Sequence, residues 1–307
     1  MSTNNSKISL YKIRTAGEVI GDTFAFVSNN FKVLFKYVIY LLLPLCLLLA
    51  FAFNGYMSAT SSLSSMSENS ANVDMSMVWG LLGQMGCYLL LALLAQMVLV
   101  SLVFAMIRHY ENHELGLLGV RLSDLKPLLT FNLKRSLALL GVSLLLALLL
   151  VVVIGGMTLL IRAWAALMVL VIVLVLLGPL VLLTPIYLLE EQLSVWGAIR
   201  KALRLGMSTW GKVVGVILIV AIICGIIQAI FSLPWYVLVL AKMVVGMEGA
   251  AEGVFVGSVG YDILAYLAAL LVTFASMLTY VVIYVCEAYL YGHAAEKHNQ
   301  QTAAGNF

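Results

Sequence analysis

The chain has 307 residues, of which 63% are hydrophobic and only 10% are charged. Soluble domains carry about 25% charged residues, so this composition excludes a soluble globular protein and predicts an all-α, polytopic membrane protein. The sequence contains no phosphate-binding loop, dinucleotide fingerprint, nucleophile elbow or metal-ligand quartet. We therefore expect a protein that is not an enzyme and that holds neither a cofactor nor a metal.

The amino-terminal region predicts an interfacial helix followed by a first membrane span. About 30 mixed polar residues precede the first apolar run, so no cleavable signal peptide is expected. Between residues 17 and 31, apolar side chains such as Ile20 and Phe24 recur at helical spacing, which predicts a short amphipathic helix in the membrane interface. The first span follows at about 33–53, with a kink expected at Pro44.

A polar loop is predicted before the second span. Residues 54–77 are rich in Ser, Asn and Met and contain no Lys or Arg, a composition typical of loops. An apolar run covers 78–107 and is long enough to cross the hydrocarbon core with some tilt. The basic segment 108–135 follows, and its second half, 121–134, predicts another short amphipathic helix.

The longest apolar segment, 137–189, contains a single charge, Arg162. As one helix it would be about 80 Å long, so the chain must turn back within the segment. A turn at Arg162 gives two spans, at about 137–161 and 163–189. The pair of glycines at 155–156 is the alternative position for this turn.

The remaining sequence predicts a third interfacial helix and two further spans, which makes six spans in total. Residues 184–212 leave an apolar run, pass the Glu190-Glu191 pair and form a short basic amphipathic segment. The fifth and sixth spans are expected at about 213–240 and 262–286.

The distribution of basic residues predicts the orientation of these spans. With six spans, 15 of the 17 Lys and Arg residues fall on one side of the membrane, and only Arg162 and Lys242 fall on the other. The positive-inside rule makes the basic side cytoplasmic, together with both termini. Because the basic residues are spread along a membrane face, we expect anionic phospholipid as their partner and no nucleic acid.

The three cytoplasmic approaches share one plan, in which a short amphipathic helix, called here an elbow helix, ends at a lysine that opens a span. This pattern predicts a threefold repeat of elbow helix, span, external turn and span, at about 17–107, 121–189 and 193–290. A basic, partly apolar flank is also what any span approached from the cytoplasm would have, and this is the alternative explanation. The lysines concerned are Lys32, Lys134 and Lys212.

The third elbow carries a resemblance to a known family. Its approach PIYLLE at 185–190, its helix AIRKAL at 198–203 and its span opening WGK at 210–212 resemble a bacterial six-span inner-membrane family that includes the membrane domain of glycerophosphodiester phosphodiesterases. In those phosphodiesterases, catalysis resides in a separate soluble domain, for which this sequence shows no counterpart. The resemblance therefore implies an accessory membrane module.

A polar and aromatic stripe is predicted on the sixth span, because six side chains follow helical spacing there. A carboxylate within hydrocarbon costs a few kcal/mol unless it is paired or hydrated, which makes Glu287 its most notable member. Either Glu287 pairs with Arg200 or Arg204 at the cytoplasmic interface, or the stripe lines a path for a lipid headgroup or substrate. The stripe comprises Thr273, Ser276, Tyr280, Tyr284, Glu287 and Tyr291.

Two further groups of ionisable residues receive structural interpretations. Glu190 and Glu191 are adjacent and so point in different directions on a helix, and we expect pairing with Arg200 or Lys201, or a capping role before the helix at Ser194. The histidines at 109 and 113 lie one turn apart but do not match the metalloprotease pattern, so a solvated helix end is expected there.

The sequence thus predicts a non-enzymatic module of the bacterial inner membrane, acting as a scaffold, assembly or regulatory subunit. It would contact anionic phospholipids and a partner membrane protein or a second copy of itself. The alternative is a transporter or flippase of a lipid or amphipathic small molecule, which uses the stripe on the sixth span. The candidate lipid or substrate residues are Glu287, Tyr280, Tyr284, Tyr291, Arg200, Lys201 and Arg204.

Overall fold

The protein is an all-α membrane protein. The structure, a computed structural model, describes residues 7–67, 75–160, 178–247, 256 and 258–304. Within these ranges it contains no β-strand, and five of the helices are long and apolar enough to cross a membrane. The composition-based prediction of a polytopic α-helical membrane protein is therefore confirmed.

In chain order the helices are α1 (Ala16–Asn29), α2 (Phe31–Ser67), α3 (Met75–Asn112), α4 (Leu122–Leu160), a 3₁₀ helix (Gly178–Leu182), α5 (Leu183–Leu189), α6 (Val195–Ser208), α7 (Trp210–Met247) and α8 (Val259–Ala304). The apolar stretches long enough to cross a membrane lie in α2, α3, α4, α7 and α8. The fourth predicted span, 163–189, lies mainly outside the described residues, and its described end forms the 3₁₀ helix and α5.

Helix α1 begins at a capping box, as its sequence T-x-x-E would suggest. The Thr15 hydroxyl accepts a hydrogen bond from the Glu18 N–H at 3.2 Å, and the Glu18 carboxylate accepts one from the Thr15 N–H at 2.6 Å. This backbone hydrogen bond holds the pKa of Glu18 below its ordinary value, because it stabilises the ionised form. The predicted first elbow helix at 17–31 thus exists as α1.

The breaks before α2 and α7 have the same local structure. Asn30 ends α1 with φ −107° and ψ 10°, and its side chain donates to Phe26 O at 2.9 Å. Thr209 ends α6 with φ −124° and ψ 21°, and its hydroxyl donates to Leu205 O at 2.8 Å. In both cases a polar side chain satisfies a carbonyl of the ending helix, which stabilises the bend between elbow helix and span.

The second predicted elbow helix is wrong as a separate element. Residues 121–134 and the span after them form one continuous helix of 39 residues, α4. The alternative turn at 155–156 is also wrong, because both glycines are helical within α4. The loop predicted at 54–77 is wrong for 54–67 and 75–77, which belong to α2 and α3, and the rest of it lies outside the described residues. Serine and methionine are tolerated in helices, so composition alone mistook a helix end for a loop.

One of the two compact units of the chain comprises Phe35–Leu99 and Ile223–Tyr280. Its core is built from small residues, Ala50, Ala268 and Ala269, against which Trp235 packs, since small side chains let membrane helices approach closely. Gln228 of α7 bonds across to α8, where its amide donates to Val272 O at 3.2 Å.

The other unit comprises Met1–Leu34, Val100–Ile222 and Val281–Phe307, and it contains all the sites described below. Its core includes the fully buried Phe104 and Met106 of α3. At Gly206 of α6 the 3₁₀ helix approaches so closely that an added Cβ would lie 2.6 Å from Pro179 Cα and 2.7 Å from Pro179 O. Glycine at 206 is therefore a packing requirement, because backbone atoms cannot move aside as a flexible side chain can.

We predict that Gly206→Ala lowers the free energy of unfolding by about 1–3 kcal/mol through this overpacking. The matched control is Gly215→Ala in α7, where an added Cβ meets no atom within 4 Å and alanine should stabilise the helix by about 0.5–1 kcal/mol. Thermal unfolding of the purified variants in detergent measures both changes. Equal midpoints for the two variants would contradict the packing described here.

Candidate functional site

The turn at 188–193, which joins α5 to α6, is held by two arginines. The last carbonyls of a helix have no partner within it. Arg108 donates to Leu188 O at 2.7 Å and to Leu189 O at 2.8 Å. Arg135 donates to Glu191 O at 2.7 Å, to Glu190 O at 3.1 Å and to Leu193 O at 2.8 Å. We call this turn, with Arg108 and Arg135, the elbow clamp.

Aromatic rings hold the two guanidinium groups in place. Arg135 lies over the ring of Tyr187, 3.8 Å from its centroid, and Arg108 lies 5.5 Å from the centroid of Phe131. Arg108 also forms an ion pair with Glu191 at 2.5 Å. A guanidinium can stack and donate in its own plane at the same time, which a lysine ammonium cannot do.

The carboxylate of Glu190 binds two side chains that do not belong to the clamp. Lys201 donates to its carboxylate oxygens at 2.6 and 2.7 Å, and the hydroxyl of Tyr291 donates to the same carboxylate. The predicted pairing with Lys201 is therefore confirmed. The N-cap of α6 is Ser194, whose hydroxyl accepts from the Gly197 N–H at 3.2 Å, and neither glutamate takes the capping role that was the predicted alternative. The two adjacent glutamates bind different partners, as expected for side chains that point apart.

Glu287 lacks the ion pair that was one of its two predicted alternatives. Its Oε2 atom is buried and has no hydrogen-bond partner, and no ion pair among the described residues includes it. The predicted salt bridge with Arg200 or Arg204 is wrong. Arg200 lies over the ring of its own helix neighbour Trp196, 5.2 Å from the centroid.

The other members of the predicted stripe lie in unlike surroundings. Tyr284 packs its ring 6.2 Å from that of Phe104. Tyr291 is buried beside Glu190, whereas Tyr280 belongs to the other compact unit and is 40% exposed. The six positions therefore share one side of the unbroken helix α8 but have different neighbours. Of the predicted lipid or substrate residues, the structure brings Tyr291 and Lys201 together, since both bind Glu190.

Helix α6 presents an apolar and basic face to its surroundings. Trp196 is 61% exposed, Met207 is 59% exposed, and Leu203 lies between them on the same side. Arg200 and Arg204 are exposed as well. The opposite side of the helix consists of small or aliphatic residues that are fully buried: Ala198, Ala202, Leu205 and Gly206.

A second polar network surrounds Arg14, whose side chain is fully buried. It pairs with Asp22 at 2.7 Å and lies 4.8 Å from the centroid of the Tyr289 ring. The Arg14 N–H donates to His293 Nδ1 at 3.0 Å, and the Lys212 ammonium donates to Arg14 O at 2.6 Å. These contacts attach the amino-terminal segment to α7 and α8.

The two histidines near the end of α3 stack on each other, with ring centroids 3.8 Å apart. Among the described residues, no group of three or more His, Cys, Asp or Glu side chains is arranged to hold a metal ion. The pair therefore contributes packing at the helix end, where His113 Nδ1 lies 2.9 Å from His109 O.

Sequence reasoning missed Arg14, Arg108, Arg135 and His293 as individual residues. It counted the arginines only as charges that set the orientation, since their carbonyl partners lie far away in sequence. The sequence does carry a signal for His293. Tyr289, His293 and Lys297 are spaced four residues apart, so they form a second stripe on α8.

Comparison of the chain with protein-family models, with curated proteins and with solved structures found no match.

We predict that Arg135→Lys destabilises the protein by about 1–3 kcal/mol, although it keeps the charge. Lysine cannot donate to three carbonyls and stack on Tyr187, so carbonyls of the turn, two of them partly buried, lose a charged donor. The matched control is Lys134→Gln, which removes the exposed neighbouring charge and should change stability by less than about 0.5 kcal/mol. Thermal unfolding in detergent ranks the two variants, and a greater loss in the Lys134 variant would refute the clamp.

Proposed function

We propose that this chain is a non-enzymatic module of the bacterial inner membrane that binds anionic phospholipid through the outward face of α6. In this proposal it acts as a scaffold, assembly or regulatory subunit, and it associates with another membrane protein or with a second copy of itself. The resemblance of the third elbow to a six-span inner-membrane family belongs to the same proposal, because it too implies an accessory membrane module.

The observation that carries the proposal is the composition of this outward face. Trp196, Arg200, Leu203 and Met207 follow one another on α6 at spacings of four, three and four residues, and all four are exposed, as is Trp210 at the start of α7. Tryptophan is enriched at the boundary between headgroups and acyl chains. Amphipathic helices that lie in the interface combine such rings with basic residues. A polar protein partner would not require this combination. We therefore propose that the outward face of α6 lies against a lipid surface.

The charge distribution supports the choice of leaflet. Because 15 of the 17 basic residues are expected on the side of the elbows, the positive-inside rule places α6 and both termini at the cytoplasmic leaflet. That leaflet is rich in anionic lipid, and each cation near its surface contributes about 1 kcal/mol of attraction.

The non-enzymatic part of the proposal is supported by how the polar groups are used. Arg108, Arg135, Glu190, Glu191 and Arg14 are bound to one another, to aromatic rings or to backbone carbonyls. Such groups stabilise a fold, and few of their donors and acceptors remain available to bind a substrate. A scaffold needs this rigidity, since it presents a fixed surface.

We predict that Trp196 contacts anionic lipid in preference to zwitterionic lipid. The protein is reconstituted with brominated phosphatidylglycerol or brominated phosphatidylcholine at equal mole fraction, and quenching of Trp196 is the difference between the wild-type protein and Trp196→Phe. Quenching should be stronger with phosphatidylglycerol. Replacing Arg200 and Arg204 by Gln should lower the relative lipid affinity about fivefold for each residue, the equivalent of about 1 kcal/mol per cation.

Lys242→Gln is the matched control, because Lys242 is an exposed cation at the distant end of α7 and should leave the preference unchanged. Equal quenching by the two lipids would disprove the preference. Equal quenching of the wild-type protein and of Trp196→Phe would show that α6 does not lie against lipid at all.

A second candidate function is favoured by Glu287. Its carboxylate oxygen is buried without a partner among the described residues, and an ionisable group of this kind in a membrane protein by default marks a functional site. We propose, as the alternative, a transporter or flippase that moves a lipid or an amphipathic small molecule past Glu287 along α8.

For this alternative we predict that Glu287→Gln slows transbilayer movement of a fluorescent phospholipid in proteoliposomes, measured by the access of dithionite to the label. Glu296→Gln is the control, because Glu296 lies on the same helix and its carboxylate only accepts a surface hydrogen bond from Gln300. Identical rates for the wild-type protein and Glu287→Gln would eliminate the flippase.

A further inference from the structure

A cavity of about 410 Å³ lies where α6 meets α7. One wall is the stretch from Met207 to Lys212, which contains the bend between the two helices, and the other wall carries His293 and Lys297 from α8. Met207 also belongs to the outward face of α6, and Trp210 is exposed at the start of α7. The cavity therefore opens beside the surface that we propose to lie against lipid.

The side chains in this cavity have positive but no negative charge. Lys212 and Lys297 both line it, and no Asp or Glu does. Neither lysine takes part in any of the ion pairs among the described residues. Two ammonium groups that share a cavity repel each other, and an anion between them removes this repulsion.

The contact between Lys212 and His293 also favours an anion in the cavity. His293 Nδ1 accepts the hydrogen bond from the Arg14 N–H, so the proton of a neutral imidazole lies on Nε2. That Nε2 atom is 3.0 Å from the Lys212 ammonium nitrogen. Two donors at this distance are stable together only if an acceptor reaches both of them, or if the amine gives up its proton.

Two helix ends meet at the wall of the cavity. Helix α7 begins at Trp210, and the amino-terminal end of a helix carries a partial positive charge. Helix α6 ends at Ser208 in the same wall, and its carboxyl-terminal end carries a partial negative charge. The two ends act in opposite directions, so the preference of the cavity for an anion depends on the two lysines and the imidazole donor.

We propose that this cavity binds a phosphate group, carried either by an anionic phospholipid or by a small water-soluble phosphate compound. For the lipid source the inference rests on the proposed function, since the headgroup would enter from the lipid bound along α6. A soluble phosphate would bind whether or not α6 contacts lipid. Lys297 supplies the most accessible charge, because Lys212 is already bound to Arg14 O.

The test uses the full-length protein purified in mild detergent. Native mass spectrometry measures how much phosphatidylglycerol and how much phosphatidylcholine remain bound, and calorimetric titration with inorganic phosphate measures the soluble source. Lys297→Gln should weaken binding of the anionic ligand about fivefold, the effect of one cation near a charged surface. Lys134→Gln, which removes an exposed lysine of α4, should leave it unchanged.

A second variant, Gly211→Glu, tests the anion site without removing a lysine. Gly211 lines the cavity, and an added Cβ there would meet no atom within 4 Å. Gly211→Glu places a carboxylate in the first turn of α7, where acidic residues stabilise a helix. It should fold normally and abolish anion binding, because its carboxylate takes the position of the ligand.

The outcomes separate this inference from the function proposed above. Retention of phosphatidylglycerol that both cavity variants reduce, without phosphate binding, identifies a headgroup site. Phosphate binding that both variants reduce identifies a soluble ligand. That result supports the anion site even if α6 shows no lipid preference. If neither variant differs from Lys134→Gln, the cavity is not an anion site, although the lipid contact of α6 could still hold.

Discussion

The structure of the elbow region depends on the binding of Arg108 and Arg135 to the backbone of the turn at 188–193. Five carbonyls, at the end of α5 and in the turn after it, receive hydrogen bonds from two guanidinium groups. One of them, Glu190 O, also accepts a longer bond of 3.4 Å from the Leu193 N–H. Unpaired carbonyls are costly wherever water is scarce. The clamp therefore fixes where α6 starts and, through it, the direction of the face that α6 exposes.

Five arginines of the elbow side fall into two groups with different contacts. Arg108 and Arg135 are bound to carbonyls and rings inside the fold, and Arg14 is buried in the same way. Arg200 and Arg204 remain exposed on α6. The positive-inside rule counts all of them alike, since it concerns topology and not contacts. Of these five arginines, Arg200 and Arg204 are the two that are exposed and can attract anionic lipid.

Composition and helical periodicity predicted the helical membrane fold, the elbow helices α1 and α6, and the pairing of Glu190 with Lys201. These features depend on local sequence or on charges only eleven residues apart. The error at the second elbow is instructive. Asn30 and Asn132 occur in nearly the same sequence, yet Asn30 donates to its own helix and ends it, whereas Asn132 donates to Ser101 O of α3 and leaves α4 unbroken. A tertiary contact decides the outcome.

The site itself was less predictable for a related reason. Glu287 was correctly recognised as unusual, because a carboxylate among apolar and aromatic residues stands out in any sequence. Its expected arginine partners, however, are exposed on α6, where Arg200 lies over Trp196, and that depends on how α6 packs. The cavity at the bend between α6 and α7 also requires the fold, since His293 and Lys297 lie more than 80 residues beyond the other wall.

A density map of the full-length protein in nanodiscs that contain phosphatidylglycerol tests the central claim most directly, because it shows lipid phosphates and the clamp in one measurement. This account predicts phosphate density beside Arg200, Arg204 and the cavity at Lys297, with Arg108 and Arg135 still bound to the carbonyls of the elbow turn. Phosphate density on Arg108 or Arg135, with none along α6, would contradict it.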